Sequence, residues 1–249
     1  METDLYPAVF KRKSIRNYDL TPLGDETLAR ISKFLQGLKR MDNGINTELK
    51  IISKDQVKRR FLKPAPHYIA AFSEEKHGYP TNIGFMLQQA DLFFSTNDMG
   101  SCWQGIPKPT EEVLSSTNLK FIIVMAFGQS KETVHRTSVS EFKRKSLLEM
   151  TDIKGADELL EAARLAPSPS NSPWFFTGDK NLIHAYLKPS RLRELIDKEL
   201  QYIEIGIAIC HLYVAAEHFG KKAAVTFDKD PTRNEHTRNL EYMASLKIE

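Results

Sequence analysis

Two stretches of this chain share one pattern. IGFMLQQADLFFSTND, starting at Ile83, and IGIAICHLYVAAEHFG, starting at Ile205, align without a gap, Gly84 on Gly206 and Asp98 on Gly220. Both are long apolar runs with few charges, the composition of a helix buried on most sides. Both carry a glycine in the first turns, where only a small side chain lets two helices approach closely. A buried helix repeated once predicts a pseudo-twofold chain, two copies of one unit packed as a dimer would pack. The halves are expected at roughly 1–148 and 149–249, within one domain spanning 1–249.

The rest of the chain supplies elements to both halves. GDETLARISKFLQGL places Leu28, Ile31, Phe34, Leu35 and Leu38 at helical spacing, with Asp25 as its N-cap. LKIIS and HYIAAFS are short and β-rich, and LKFIIVMAFG reads as a central strand. SCWQGIPKP reads as a break, punctuated by Gly105, Pro107 and Pro109. SEFKRKSLLEM is basic and then helical. GADELLEAARLAP is a helix stopped by proline, and NLEYMASLKIE a closing strand.

Charge and cysteine usage exclude several classes. Lys and Arg number 35 against 32 Asp and Glu, a net charge of +3, which is small for a nucleic-acid binder of 249 residues. The two cysteines, Cys102 and Cys210, lie far apart, giving neither a disulfide scaffold nor a zinc pattern and fitting a reducing compartment. No metal site is expected. The longest apolar run, FIIVMAF, is strand-sized, and METDLYPAVF is not a secretory pattern. The expectation is a soluble cytoplasmic protein with no membrane and no nucleic-acid partner.

Against that near-neutral background, FKRKSIRNYD is locally basic. In an extended chain Arg12, Ser14 and Arg16 share one face and Lys11, Lys13 and Ile15 the other. Two guanidiniums flanking a hydroxyl make a phosphate clamp. The pattern alone fits that clamp or a solvated basic terminus. Two further segments have cofactor-site composition. APSPSNSPWFF offers Ser168, Ser170 and Asn171 beside Trp174. MGSCWQGIP sets two glycines around Trp103, a turn that brings backbone N–H groups up to a flat ligand. By residue type alone Trp103 and Trp174 read as core residues, Cys102 as a small packing residue, and His211 and His218 as satisfied core or surface histidines.

Taken in order, these motifs resemble the nitroreductase superfamily of FMN-dependent oxidoreductases, in the branch where one chain folds as a pseudo-dimer. The resemblance rests on the Arg-x-Ser-x-Arg of FKRKSIRNYD, LAPSPSNSPWFF, NIGFMLQQADL, MGSCWQG, and AFGQSKE leading to FKRKSLLEM. It implies an α+β fold, a mixed and mainly antiparallel sheet flanked by helices, with two pseudo-twofold-related halves. It implies FMN as cofactor and NAD(P)H as electron donor, with ping-pong hydride transfer to a nitroaromatic or quinone-type small molecule. Arg12, Ser14 and Arg16 would bind the FMN phosphate and ribityl chain, and Arg144 and Lys145 would complete the phosphate pocket. Ser168 and Asn171 would reach the flavin from the other half. Cys102, Trp103, Gly105 and Ile106 would run beside the ring, with the Gly105 or Ile106 N–H near N5. No side chain is assigned as catalytic, because the cofactor carries the chemistry.

The clamp and the Gly-Ser-Cys-Trp loop occur only in the first half, and the Ser-x-x-Asn segment only in the second. One FMN per chain is therefore expected, with the second, symmetry-related site dead and the chain a monomer. The family's Gln before Pro-Trp is missing: the chain reads Asn171-Ser172-Pro173-Trp174. That departure keeps open a non-enzymatic flavin-binding protein of the same fold, beside the enzyme. A polyanion binder using the two basic stretches is the third reading, and its affinity would fall steeply with salt.

Overall fold

The two glycines aligned in sequence meet across one helix crossing. A computed structural model describes residues 3–58, 62–169, 171–188, 198–228, 231 and 233–249; Ser170 lies outside them. The first half contains α1 (Tyr6–Val9), α2 (Asp25–Gln36), β1 (Thr47–Ser53), β2 (Val57–Lys58), β3 (His67–Ser73), α3 (Tyr79–Thr96), β4 (Gly100–Gln104), β5 (Lys108–Pro109), α4 (Glu111–Ser115) and β6 (Lys120–Gly128). The second contains α5 (Asp157–Arg164), β7 (Trp174–Gly178), β8 (Leu182–Leu187), α6 (Lys198–His218), β9 (Ala223–Thr226) and β10 (Glu241–Ile248). A Cβ on Gly84 would lie 2.1 Å from the Ile203 carbonyl oxygen, and one on Gly206 would lie 2.0 Å from that of Thr81. Each glycine thus faces the residue three positions before the other, the reciprocity a twofold axis produces.

The sheets repeat the same relation. Their orders are β1-β3-β6-β4 and β7-β8-β10-β9: in each half the first, second, fourth and third strands lie side by side. The long helix joins the second strand to the third in both, and a shorter helix precedes the first. The fold is α+β with two pseudo-twofold-related halves. Every ladder between these strands is antiparallel; parallel pairing among the described residues is confined to the single bridges Ser14–Ser101 and Thr151–Phe176.

Burial explains the apolar runs. In β3, Ile69 and Ala71 join the main core while Tyr68, Ala70 and Phe72 join a second cluster on the opposite face. In β6, Met125 and Phe127 face the first cluster, Val124 and Ala126 the second. A sheet covered on both faces has no polar side to alternate with, so its strands read as continuous apolar runs. Buried residues of α3 and α6 belong to the main core, which runs through both halves.

Three local expectations are corrected. Asp25 is the first residue of α2 rather than its cap; Gly24 occupies the cap with extended backbone and no side-chain bond. Asp25 and Glu26 instead place carboxylates in the first turn, beside the positive end of the helix. SCWQ is not a break but the body of β4, hydrogen-bonded to β6, and the punctuation acts only from Gly105 onward. SEFKRKSLLEM is not an α-helix. It forms two isolated 3-10 turns, each opened by a reciprocal serine–glutamate cap (Ser138 with Glu141, Ser146 with Glu149), separated by Lys143 at φ +48°. Among the described residues, no helix is long and apolar enough to cross a membrane.

Candidate functional site

The basic stretch is extended, and β4 holds it. Ser14 bridges Ser101, the Ile15 N–H donates to the Ser101 carbonyl at 2.9 Å, and Arg12 bridges His135. Ile15 packs over Gly100, where a Cβ would stand 2.8 Å from its Cγ2. Of the predicted face, Arg12 is buried, Ser14 half-buried and Arg16 exposed.

Arg12 enters a buried polar network. Its Nε lies 2.8 Å from Asp91 Oδ2, and a terminal nitrogen donates to Ser14 Oγ at 3.2 Å. Asp91, fully buried on α3, also accepts from Ser101 Oγ at 2.6 Å and Gln88 Nε2 at 3.1 Å. The Gln88 amide reaches His211 Nε2 on α6 at 3.0 Å, and its oxygen accepts from Trp103 Nε1 at 3.2 Å. His211 Nδ1 lies 2.8 Å from the Ala162 carbonyl. Since that carbonyl can only accept, Nδ1 carries the proton and Nε2 accepts from Gln88. Burial, with Arg12 and Arg144 nearby, pushes the His211 pKa down to about 3, so the imidazole is neutral.

Positive charge accumulates beside this network. Arg144 is pushed down to about 10, first by burial and then by Arg12, Arg136 and Arg164, with Glu204 opposing. Arg136 is lowered as well, first by burial and then by Arg12. Its guanidinium lies over the Phe142 ring, 4.4 Å from the centroid. Arg144 donates to the Ser168 carbonyl at 3.3 Å and Lys145 Nζ to the Ser172 carbonyl at 3.4 Å. Among the described residues, the Nε atoms of Arg136 and Arg144 are buried with no hydrogen-bond partner. Buried like charges with unsatisfied donors are costly alone, and an anion relieves both penalties.

The serine-rich segment lies against this cluster in a tight turn. Asn171 and Ser172 have φ of +59° and +55°, two successive side-chain-bearing residues in the left-handed region. The turn is pinned by Ser168, whose hydroxyl donates to Glu204 of α6 and accepts from the Ser172 N–H at 2.9 Å. That hydroxyl is therefore committed inside the protein. Asn171 is exposed.

Arg16, Cys102, Trp103, Gly105 and Ile106 line a cavity of about 710 Å³. Arg144, Lys145, Ser168 and Asn171 do not line it; they belong to the arginine cluster and its turn. Cys102 lines the cavity with its thiol donating to the Trp103 carbonyl at 3.4 Å, and Arg16 and Arg12 lie near enough to favour its thiolate. Burial raises that thiol's pKa, as for a packing residue. Gly105 lies 3.4 Å, measured from an added Cβ, from Leu200 of α6, so the cavity's edge is formed where the halves meet.

Sequence reasoning missed Arg136, Asp91 and Gln88. Arg136 stands outside any basic run, and Asp91 and Gln88 sit inside an apolar helix. No local pattern marks those three: Phe-Lys-Arg-Lys-Ser, which occurs twice, at 10–14 and 142–146, each arginine thirteen residues ahead of the first residue of α2 or α5, holds only arginines already assigned. The repeat marks Arg12 and Arg144 as counterparts. The arginine cluster and the cavity together suit a phosphorylated planar cofactor, with guanidinium nitrogens unsatisfied among the described residues for a phosphate and an adjoining cavity edged by β4 for a ring.

This topology is that of the nitroreductase-like class of α+β proteins. Residues 4–216 match the family model described as "Putative TM nitroreductase", and the chain belongs to that family, within the nitroreductase superfamily. The crystal structure of a putative nitroreductase from Thermotoga maritima superposes with a TM-score of 0.66 over 100% of this chain and 94% of that one, at 17% identity. An FMN-dependent nitroreductase from Clostridium difficile covers 56% of this chain and 96% of its own length, with a TM-score of 0.45 and 20% identity. No curated protein matches the chain.

Proposed function

We propose that this protein is an FMN-dependent NAD(P)H oxidoreductase that binds one FMN per chain and passes electrons to a small nitroaromatic or quinone-type acceptor. The observation that carries the reading is the cluster of Arg12, Arg136 and Arg144, in which the buried Nε atoms of Arg136 and Arg144 lack partners among the described residues. Such a cluster suits a phosphate carrying about two negative charges. Arg136 and Arg144 would hold the phosphate, with Arg12 fixed at its edge by Asp91 and Ser14 beside it. Arg16 and the run Cys102 to Ile106 would flank the ring in the adjoining cavity.

Bound flavin would supply hydride acceptance and donation. The chain's own work is to bind, orient and exclude water, so no acid or base side chain is needed at the reacting carbon. Gln88 fixes Trp103 at the cavity wall through its indole N–H. With α3 and α6 packed together inside one chain, the contact a homodimer would use is already made, which supports a monomer.

A specific observation favours a second reading, a flavin-binding protein without turnover. The Ser168 hydroxyl is committed to Glu204 and Ser172, and Asn171 faces solvent, so two flavin contacts implied by the resemblance are not presented. The visible spectrum of the protein with added FMN, taken before and after anaerobic NADH or NADPH, separates the readings. Bound flavin bands that bleach establish the oxidoreductase and name the donor. Bands that stay oxidised leave the binding protein, and absence of bound flavin ends both.

A further inference from the structure

A second and larger cavity, about 1080 Å³, lies away from the arginine cluster. It is built from counterparts of the elements that form the candidate flavin site. The loop leaving α2 (Gly37, Leu38, Lys39) lines it, as the loop leaving α5 lies against the arginine cluster. The end of α6 and its turn into β9 stand where the end of α3 and its turn into β4 stand in the other half. With Gly84 matched to Gly206, Tyr213 takes the place of Asp91, and Lys222-Ala223-Ala224-Val225 that of Gly100-Ser101-Cys102-Trp103.

That replacement removes what a flavin would need. The carboxylate that fixes Arg12 has become a tyrosine, whose hydroxyl donates to Glu217 at 2.7 Å. The glycine at the start of the strand has become Lys222, whose backbone N–H and carbonyl are both tied to Glu249. The cavity itself remains, and its chemistry is distinct. Arg30, Lys33, Lys221 and Lys222 line it, and among the described residues none of these four side chains has a hydrogen-bond or ion-pair partner. The two acids on its wall are engaged: Asp4 pairs with His218 at 2.9 Å, and Glu217 accepts from Tyr213. Phe34, stacked on Phe93 with centroids 4.0 Å apart, Tyr213 and Leu38 give the cavity an apolar, aromatic side.

We propose that this cavity binds a nucleoside phosphate at a site separate from the flavin site. Four cations without partners meet the phosphates, and the aromatic side meets the base. The volume suits a ligand of that size, and the combination of charge and ring surface selects a nucleotide over a bare inorganic anion.

The test is calorimetric titration of ADP into the full chain, with and without saturating FMN. Saturable one-to-one binding is expected, unchanged by FMN and weakened by added salt. The double variant Lys33→Glu/Lys221→Glu should bind ADP at least tenfold more weakly. Arg144→Gln, in the other site, should leave ADP affinity unchanged. If the charge-reversed protein fails to fold, Lys33→Gln/Lys221→Gln carries the same expectation. No saturable binding at millimolar ADP, displacement of ADP by FMN, equal affinity in the lysine variant, or loss of binding in Arg144→Gln each overturns the proposal. Because the titration also runs without FMN, a failure of flavin binding leaves its outcome readable.

Discussion

Arg12 Nε lies 2.8 Å from Asp91 Oδ2, with both side chains almost wholly removed from solvent. The pair joins the basic stretch to α3, and through Gln88 to Trp103 and to His211 of the other half. Removing one partner of a buried ion pair strands the other, at a cost of about 3–5 kcal/mol. Asp91→Asn should destabilise the protein by that amount in urea unfolding. Adding Arg12→Gln should return part of the loss, because the stranded charge is then gone. A double variant no more stable than Asp91→Asn alone would show that the two side chains are not coupled.

The arginine cluster predicts opposite effects on stability and on binding. Arg144 titrates low because burial and neighbouring guanidiniums disfavour its charge in the folded state. Arg144→Gln should therefore raise the melting temperature of the flavin-free protein while weakening FMN roughly tenfold or more, the worth of one charge-assisted bond. Inorganic phosphate should raise the melting temperature of the wild type more than that of the variant. Thermal scans with and without phosphate measure both effects.

His211 gives a pH dependence with a definite sign. Its folded pKa is about 3, against 6.5 for the free side chain. Between those values the unfolded chain binds a proton that the folded chain does not, so stability falls as pH falls through that window. The contribution is fully present above pH 6.5. The slope of unfolding free energy against pH in His211→Gln should be smaller by up to one proton's worth. Equal slopes between pH 3 and 6.5 would remove His211 from the account.

The helix crossing predicts a symmetric lesion. Gly206→Ala and Gly84→Ala each drive a methyl group into a backbone carbonyl of the facing helix, which no rotamer change relieves. Each should cost about 3 kcal/mol or more, the upper part of the range for overpacking. Gly105→Ala meets only the end of the Leu200 side chain at 3.4 Å and should be tolerated. Comparing the three in denaturant separates backbone contact from side-chain contact.

The glycine pair was legible in the sequence because two positions had to stay small for the same reason. The buried strands β3 and β6 were legible from their apolar runs. Strand β4 was not, since the breakers at Gly105 and Pro107 lie just beyond its last residue and dominate the local composition. Strand β7 is hidden because Trp174, Phe175 and Phe176 close a serine- and proline-rich segment of cofactor-site composition, while their backbone pairs with β8. The arginine cluster was half visible. Arg12 and Arg144 sit in basic runs, whereas Arg136 arrives by tertiary folding. The commitment of the Ser168 hydroxyl depends on Glu204, 36 residues further along, and no local pattern announces such a contact.

The reciprocal glycine contact has a consequence for how the two faces of this molecule can change. In a homodimer every substitution appears on both sides of the axis, so neither cavity can be altered without altering the other. Here the axis runs through a single chain and each position exists once. Tyr213 can stand opposite Asp91, and Lys222 opposite Gly100, in the same molecule. The covalent link turns a symmetric pair into two addresses that can be edited one at a time.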